Sequence, residues 1–73
     1  MNRDMELVPG FYSETDDTLD LELEPMEGIE RGAVIRMSGY LDGFNVGFFS
    51  KRVEKVIDRG FLFLSFDLAN VTY

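Results

Sequence analysis

The chain has 73 residues, 14 acidic against 7 basic side chains for a net charge of −7, and neither Cys nor His. Such a length allows one small domain, and the two missing residue types exclude disulfides, thiol nucleophiles, imidazole bases and thiolate or imidazole metal sites, leaving oxygen ligands as the only route to a metal. An acidic chain also lacks the basic footprint with which nucleic-acid binders neutralise phosphates, and an anionic membrane surface repels it.

The charge is uneven along the chain. Residues 1–30 hold ten acids and one base, and residues 31–73 hold four acids and six bases. Met1-Asn2-Arg3-Asp4 leads into acidic sequence rather than a signal peptide, and no apolar run approaches the roughly eighteen residues of a spanning helix, so the expected compartment is the cytoplasm. Pro9-Gly10 is a breaker pair, and the run Ser13 to Asp17 contains nothing apolar. Residues 1–16 therefore read as a mostly disordered acidic tail, and residues 17–73 as the domain. Phe11-Tyr12 is the exception within the tail, two aromatics that are either exposed and loosely packed or docked on a surface.

Leu19, Leu21 and Leu23 alternate with Asp20, Glu22 and Glu24. That period of two predicts a half-buried strand whose carboxylates form a solvated, edge-protecting face. A calcium site is disfavoured, because no glycine-centred loop curls these carboxylates around an ion; no metal or other cofactor is expected. Pro25 ends or bends the strand, and Gly28 and Gly32 mark a reversal. Ala33 to Ser38 is a second strand, antiparallel to the first because the connection is too short for a crossover. Gly39-Tyr40-Leu41-Asp42-Gly43-Phe44-Asn45 then reads as strand end, loop and helix start, with Asp42 or Asn45 able to accept from the first free N–H groups of the helix, worth about 1 kcal/mol over Ala.

Val46, Phe49, Val53, Val56 and Ile57 form one apolar stripe, predicting a helix over 46–59 with Lys51, Arg52, Glu54, Lys55, Asp58 and Arg59 on its other side. Gly60 stands where a left-handed residue closes a helix. Phe48 lies off the stripe, as a flank of the core face or as an exposed anchor for a partner. Phe61 to Leu68 is nearly continuously apolar, which predicts a strand interior to a parallel sheet. Strand, helix, strand in this order predicts a right-handed βαβ crossover, so the expected fold is α/β with a mixed sheet of about three strands. One helix covers one face, which leaves Leu62, Leu64, Phe66 and Leu68 on a bare side. A homo-oligomer is expected, with contacts through Phe61, Leu62, Phe63, Leu64, Phe66 and Leu68.

From Ala33 to Tyr73, the spacing Gly39-x-Leu41-Asp42-x-x-Asn45, a helix, Gly60, and an apolar strand ending Asp67-Leu68-Ala69-Asn70-Val71-Thr72-Tyr73 resembles the front half of a STAS domain. That is the domain of bacterial anti-sigma factor antagonists, found also at the tail of sulfate transporters. The family's first strand would correspond to Leu19 to Ile29, so the resemblance covers about 55 of the 73 residues. It implies an α/β regulatory module that switches partners with an anti-sigma factor or related regulatory kinase. The family's acceptor Ser lies in a turn directly after the position of Tyr73 and is missing from this sequence; Ser38, Ser50 and Ser65 do not match it. In the family the first strand–helix loop lies beside that turn and the partner surface, which makes Tyr40, Asp42, Gly43 and Asn45 the candidate partner-binding residues. For Asp42 and Asn45, helix capping is the competing explanation, and the two roles are compatible. The remaining classes are a self-assembling structural domain and, least supported, an enzyme, since no nucleophile-elbow or phosphate-loop spacing occurs.

Overall fold

A computed structural model of the protein describes residues 7–72; what the sequence suggests for residues 1–6 and Tyr73 lies outside the described residues. Three strands and one helix follow in the order β1 (Leu19–Pro25), β2 (Gly32–Tyr40), α1 (Val46–Asp58) and β3 (Phe63–Thr72). The sheet order is β1-β2-β3, with β1 antiparallel and β3 parallel to the central β2. The protein is thus a small α/β domain with a three-stranded mixed sheet.

The leucine alternation of β1 places Leu19 and Leu21 in the core, and the register sets Leu21 beside Met37 and Leu23 beside Ile35. Pro25 closes the strand. Beyond it the Met26 N–H bonds the Gly32 carbonyl at 3.0 Å and the Ile29 N–H bonds the Met26 carbonyl at 3.1 Å, a compact reversal into β2. Ala33, Ile35 and Met37 of β2 are buried and carry the middle of the core, where Val56 of α1 meets them. Gly60 closes the helix with φ +102°, its N–H bonding the Ile57 carbonyl while the Phe61 N–H reaches back to the Val56 carbonyl. That pair of bonds is a Schellman closure, which satisfies carbonyls the helix end leaves free.

Three expectations are corrected. The first concerns the tail: residues 7–16 are packed, with Val8 2% and Phe11 1% exposed. Tyr12 meets Phe11 edge to face and its Oη accepts from the Leu23 N–H at 2.8 Å. The burial of Val8 and Phe11, with the Tyr12 hydrogen bond, supplies contacts that work against the entropy cost of ordering the segment. The second concerns α1: Arg52, expected on the solvated side, is 1% exposed beneath that segment, whereas Val46 and Ile57 of the predicted stripe are about half exposed. The added N-terminal layer shifts the buried face of the helix towards Phe48 and Arg52.

The third concerns β3, which is an edge strand and not an interior one. Its register puts Leu64 beside Ala33 and Phe66 beside Ile35, so both share the core face, and the Phe66 ring lies 5.9 Å from that of Phe49. The uncovered face is the opposite one, bearing Asp20, Glu22, Glu24, Val34, Arg36, Phe63, Ser65 and Asp67. There Arg36 in the central strand bridges Glu24 on one side and Asp67, at 3.6 Å, on the other. A face so charged tolerates water, but β3 and the residue before it do carry bare apolar side chains: of Leu62, Leu64, Phe66 and Leu68, all but the half-buried Leu64 are exposed, Leu62 at 68%. Phe63, on the charged face, is 57% exposed, and the outer edge of β3 has no strand beside it among the described residues. The strand also runs on to Thr72 past a bulge that sets Leu68 and Ala69 opposite Met37.

Candidate functional site

The corner where β2 turns into α1 is built almost entirely of hydrogen bonds between named side chains and the backbone. It begins at Gly39, whose φ is +110° and whose place a Cβ could not share, since that atom would stand 2.2 Å from the Thr18 carbonyl oxygen. This close approach lets the Tyr40 N–H donate to the same Thr18 oxygen at 2.8 Å, tying the end of β2 to the start of β1. The Leu41 N–H then donates to the Thr72 carbonyl at 3.0 Å, so both neighbouring strands hold the loop.

Asp42 and Asn45 form a reciprocal pair that closes the turn ahead of α1. Oδ1 of Asp42 accepts from the N–H groups of Phe44 at 2.9 Å and Asn45 at 3.3 Å, while Oδ1 of Asn45 accepts from the Asp42 N–H at 2.9 Å. The Val46 N–H bonds the Asp42 carbonyl at 3.1 Å, so the turn 42–45 leads into α1 as one more helical turn. The spacing resembles a capping box, but it closes the turn ahead of the helix: α1 begins after Asn45, whose side chain makes no bond to the first helical N–H groups, so the helix capping expected of Asp42 or Asn45 is not realised. Asn45 also ties the loop to β1 and β2, its Nδ2 donating to the Tyr40 carbonyl at 2.8 Å and to Oγ1 of Thr18 at 3.0 Å. Thr18 in turn donates through Oγ1 to Oδ1 of Asp16 at 2.6 Å, and the N–H groups of Thr18 and Leu19 bond the same oxygen at 2.8 and 3.2 Å. These hydrogen bonds, the Thr18 hydroxyl first, favour the charged carboxylate and hold the Asp16 pKa below its ordinary value.

The four residues singled out in the sequence therefore divide. Tyr40, 59% exposed, and the exposed Asp42 and Gly43 lie on the surface of the corner; Asn45 is 2% exposed and spends its amide on the loop, so it positions the others and presents nothing itself. Two residues of the corner escaped sequence reasoning. Phe44, a spacer in the motif, is fully exposed at the tip, with Val46 about half exposed beside it. Thr18 with Asp16 braces the corner from the far side, and the only trace in the sequence was a short Asp-x-Thr run ahead of a strand, a side-chain-to-backbone turn pattern.

The corner carries polar oxygen, a phenol and an apolar tip. Among the described residues no three Asp or Glu side chains converge as metal ligands, and no helix is long and apolar enough to cross a membrane. The aligned acids of β1 are pleated apart, with Glu24 engaged by Arg36. No protein-family model, characterised protein or solved structure matches this chain.

Proposed function

We propose that the protein is a non-enzymatic interaction module of the anti-sigma antagonist type, docking through the Tyr40–Asn45 corner on an anti-sigma factor or related regulatory kinase. The observation that carries this reading is Phe44. A large aromatic ring wholly in water has no stabilising role in its own fold, yet here it stands on a turn locked by the reciprocal Asp42–Asn45 bonds, a packed glycine and bonds to two strands. An apolar anchor held in one conformation loses little entropy when it enters a partner's pocket. Tyr40 and Asp42 beside it supply a hydroxyl and a carboxylate at the rim. The resemblance to the front half of a STAS domain, with its right-handed strand–helix–strand crossover, supports the same surface from the sequence side. Phosphorylation is not part of the reading, since Ser38 and Ser65 are strand residues and Ser50 lies on α1.

Calorimetric titration of the protein into a purified anti-sigma factor kinase tests the proposal: saturable one-to-one binding is expected, and absence of binding to every such kinase tried removes it. A second reading, a self-assembling domain, is favoured by the open edge of β3, where Phe63 and Leu68 stand exposed on a strand with a single charge.

A further inference from the structure

Along its outer side β3 has no neighbouring strand among the described residues, whereas the Leu19 and Leu23 N–H groups of β1 are held by Asp16 and Tyr12. The regular part of the β3 edge ends at Leu68, past which the bulge begins and the Ala69 N–H turns to Oδ1 of Asp67 at 3.1 Å. Strand alternation sets Leu62, Leu64, Phe66 and Leu68 on the side of α1. Of these only Leu64 is half-buried; Phe66 is 39% and Leu68 41% exposed, and Leu62 more so. The helix extends the same surface. Phe49 meets Phe66, and the helical period turns Val46, Val53 and Ile57 to that flank, with Phe48 and Arg52 on the opposite one beside Glu14. Val46 and Ile57 stay about half exposed there. An open strand edge bordered by apolar side chains is a template for one more strand.

We infer that the occupant is β3 of a second copy, paired antiparallel about a two-fold axis at Ser65. The inference rests on the self-assembly reading of β3, to which it gives a register, and not on the Tyr40–Asn45 corner. The strand is complementary to itself: apolar residues stand at equal distances on either side of Ser65, so the pattern reads the same in both directions. In this register Leu62 faces the partner's Leu68 and Leu64 faces the partner's Phe66, and every exposed apolar side chain on the α1 side meets another. Centring the pair on Phe66 would set Leu62 against the partner's Asn70, and centring it on Asp67 would oppose two carboxylates. About Ser65, Asp67 falls opposite the partner's Phe63 and keeps Arg36 beside it. Charge favours the same arrangement. Residues 1–30 hold ten acids and one base, and the continuous sheet β1-β2-β3-β3-β2-β1 puts those acidic parts at its two far ends. The two-fold also keeps both α1 helices on one face, with their half-exposed flanks turned to each other.

Ser65 supplies the test, because it is exposed and the chain contains no Cys. Residues facing each other across an antiparallel pair have Cα atoms about 4.5–5.5 Å apart, within reach of a disulfide. With diamide as oxidant, Ser65→Cys should therefore form a covalent dimer at least about tenfold faster than Ser13→Cys, an equally exposed site on the N-terminal segment. In sedimentation equilibrium at about 50 µM the wild-type chain should run at twice its 8.4 kDa mass. Ser65→Asp adds a carboxylate beside Asp67 in each copy, and should weaken association at least about tenfold, with part of the loss recovered in about 1 M salt. A folded wild-type monomer at that concentration overturns the inference and the self-assembly reading together. A dimer in which Ser65→Cys cross-links no faster than Ser13→Cys overturns the inference and leaves self-assembly to another surface. Should Ser65→Asp fail to fold, the two cross-linking rates decide.

Discussion

At the scale of single residues, the corner separates groups that hold from groups that present. Asn45 holds: replacing it with Ala strips acceptors and donors from Asp42, Tyr40 and Thr18 in a buried setting, and unfolding in urea should show a loss of about 1–3 kcal/mol. Asp42→Ala removes the other half of the turn's reciprocal bonds and should cost about 1 kcal/mol by the same measurement. Phe44 presents: with its ring wholly in solvent, Phe44→Ala should leave stability within about 0.5 kcal/mol while abolishing partner binding. Asp16 adds a pH dependence whose sign follows from its depressed pKa. The stability it contributes is complete above the unfolded-state value and is lost as pH falls through the lower folded-state value. Acid unfolding followed by circular dichroism should therefore show Asp16→Asn losing less stability than wild type between about pH 5 and about pH 2.

At the scale of elements, the N-terminal segment and β3 decide the architecture, and they are where sequence reading departs from the structure. The strands β1 and β2, the helix limits and the Gly60 closure were legible because each carries a local signal: alternation, a 3.6-residue stripe, and a glycine after it. Gly39, Asp42 and Asn45 were legible as a motif, though only the structure shows that the last is interior. Residues 7–16 were not legible, since their charge and breaker pair describe a coil correctly and say nothing of the groove that Phe11 finds. Arg52 followed from the same omission, as a helix face is solvated only if nothing packs on it. For β3, an unbroken apolar run resembles an interior strand, but an edge strand that tucks Leu64 into the core and leaves Leu62, Phe63, Phe66 and Leu68 exposed gives the same letters. The packing of the segment has a measurable weight: Phe11→Ala should destabilise the domain by about 3–5 kcal/mol in thermal or urea unfolding, where a free tail would show no change.

At the scale of the whole molecule, the two edges of the sheet are treated differently. The outer edge of β1 is capped, its Leu19 and Leu23 N–H groups taken by Asp16 and Tyr12. The edge of β3 is left open, and its ten residues carry only Asp67 as a charge, so it lacks the lysines or prolines that commonly blunt such edges. The acids concentrate on β1 and before it, which places the repulsive part of the molecule away from β3. Edge-to-edge pairing of two copies is thereby the route to self-assembly that the fold leaves, and it competes with the Tyr40–Asn45 corner as the surface on which the protein works. A chemical-shift map of the isotopically labelled protein, recorded while the proposed partner, a purified anti-sigma factor kinase, is titrated in, separates the two. The account predicts perturbations centred on the amides of Tyr40 to Val46, with those of Phe63 to Leu68 unmoved; perturbations confined to β3, with the corner silent, would contradict it.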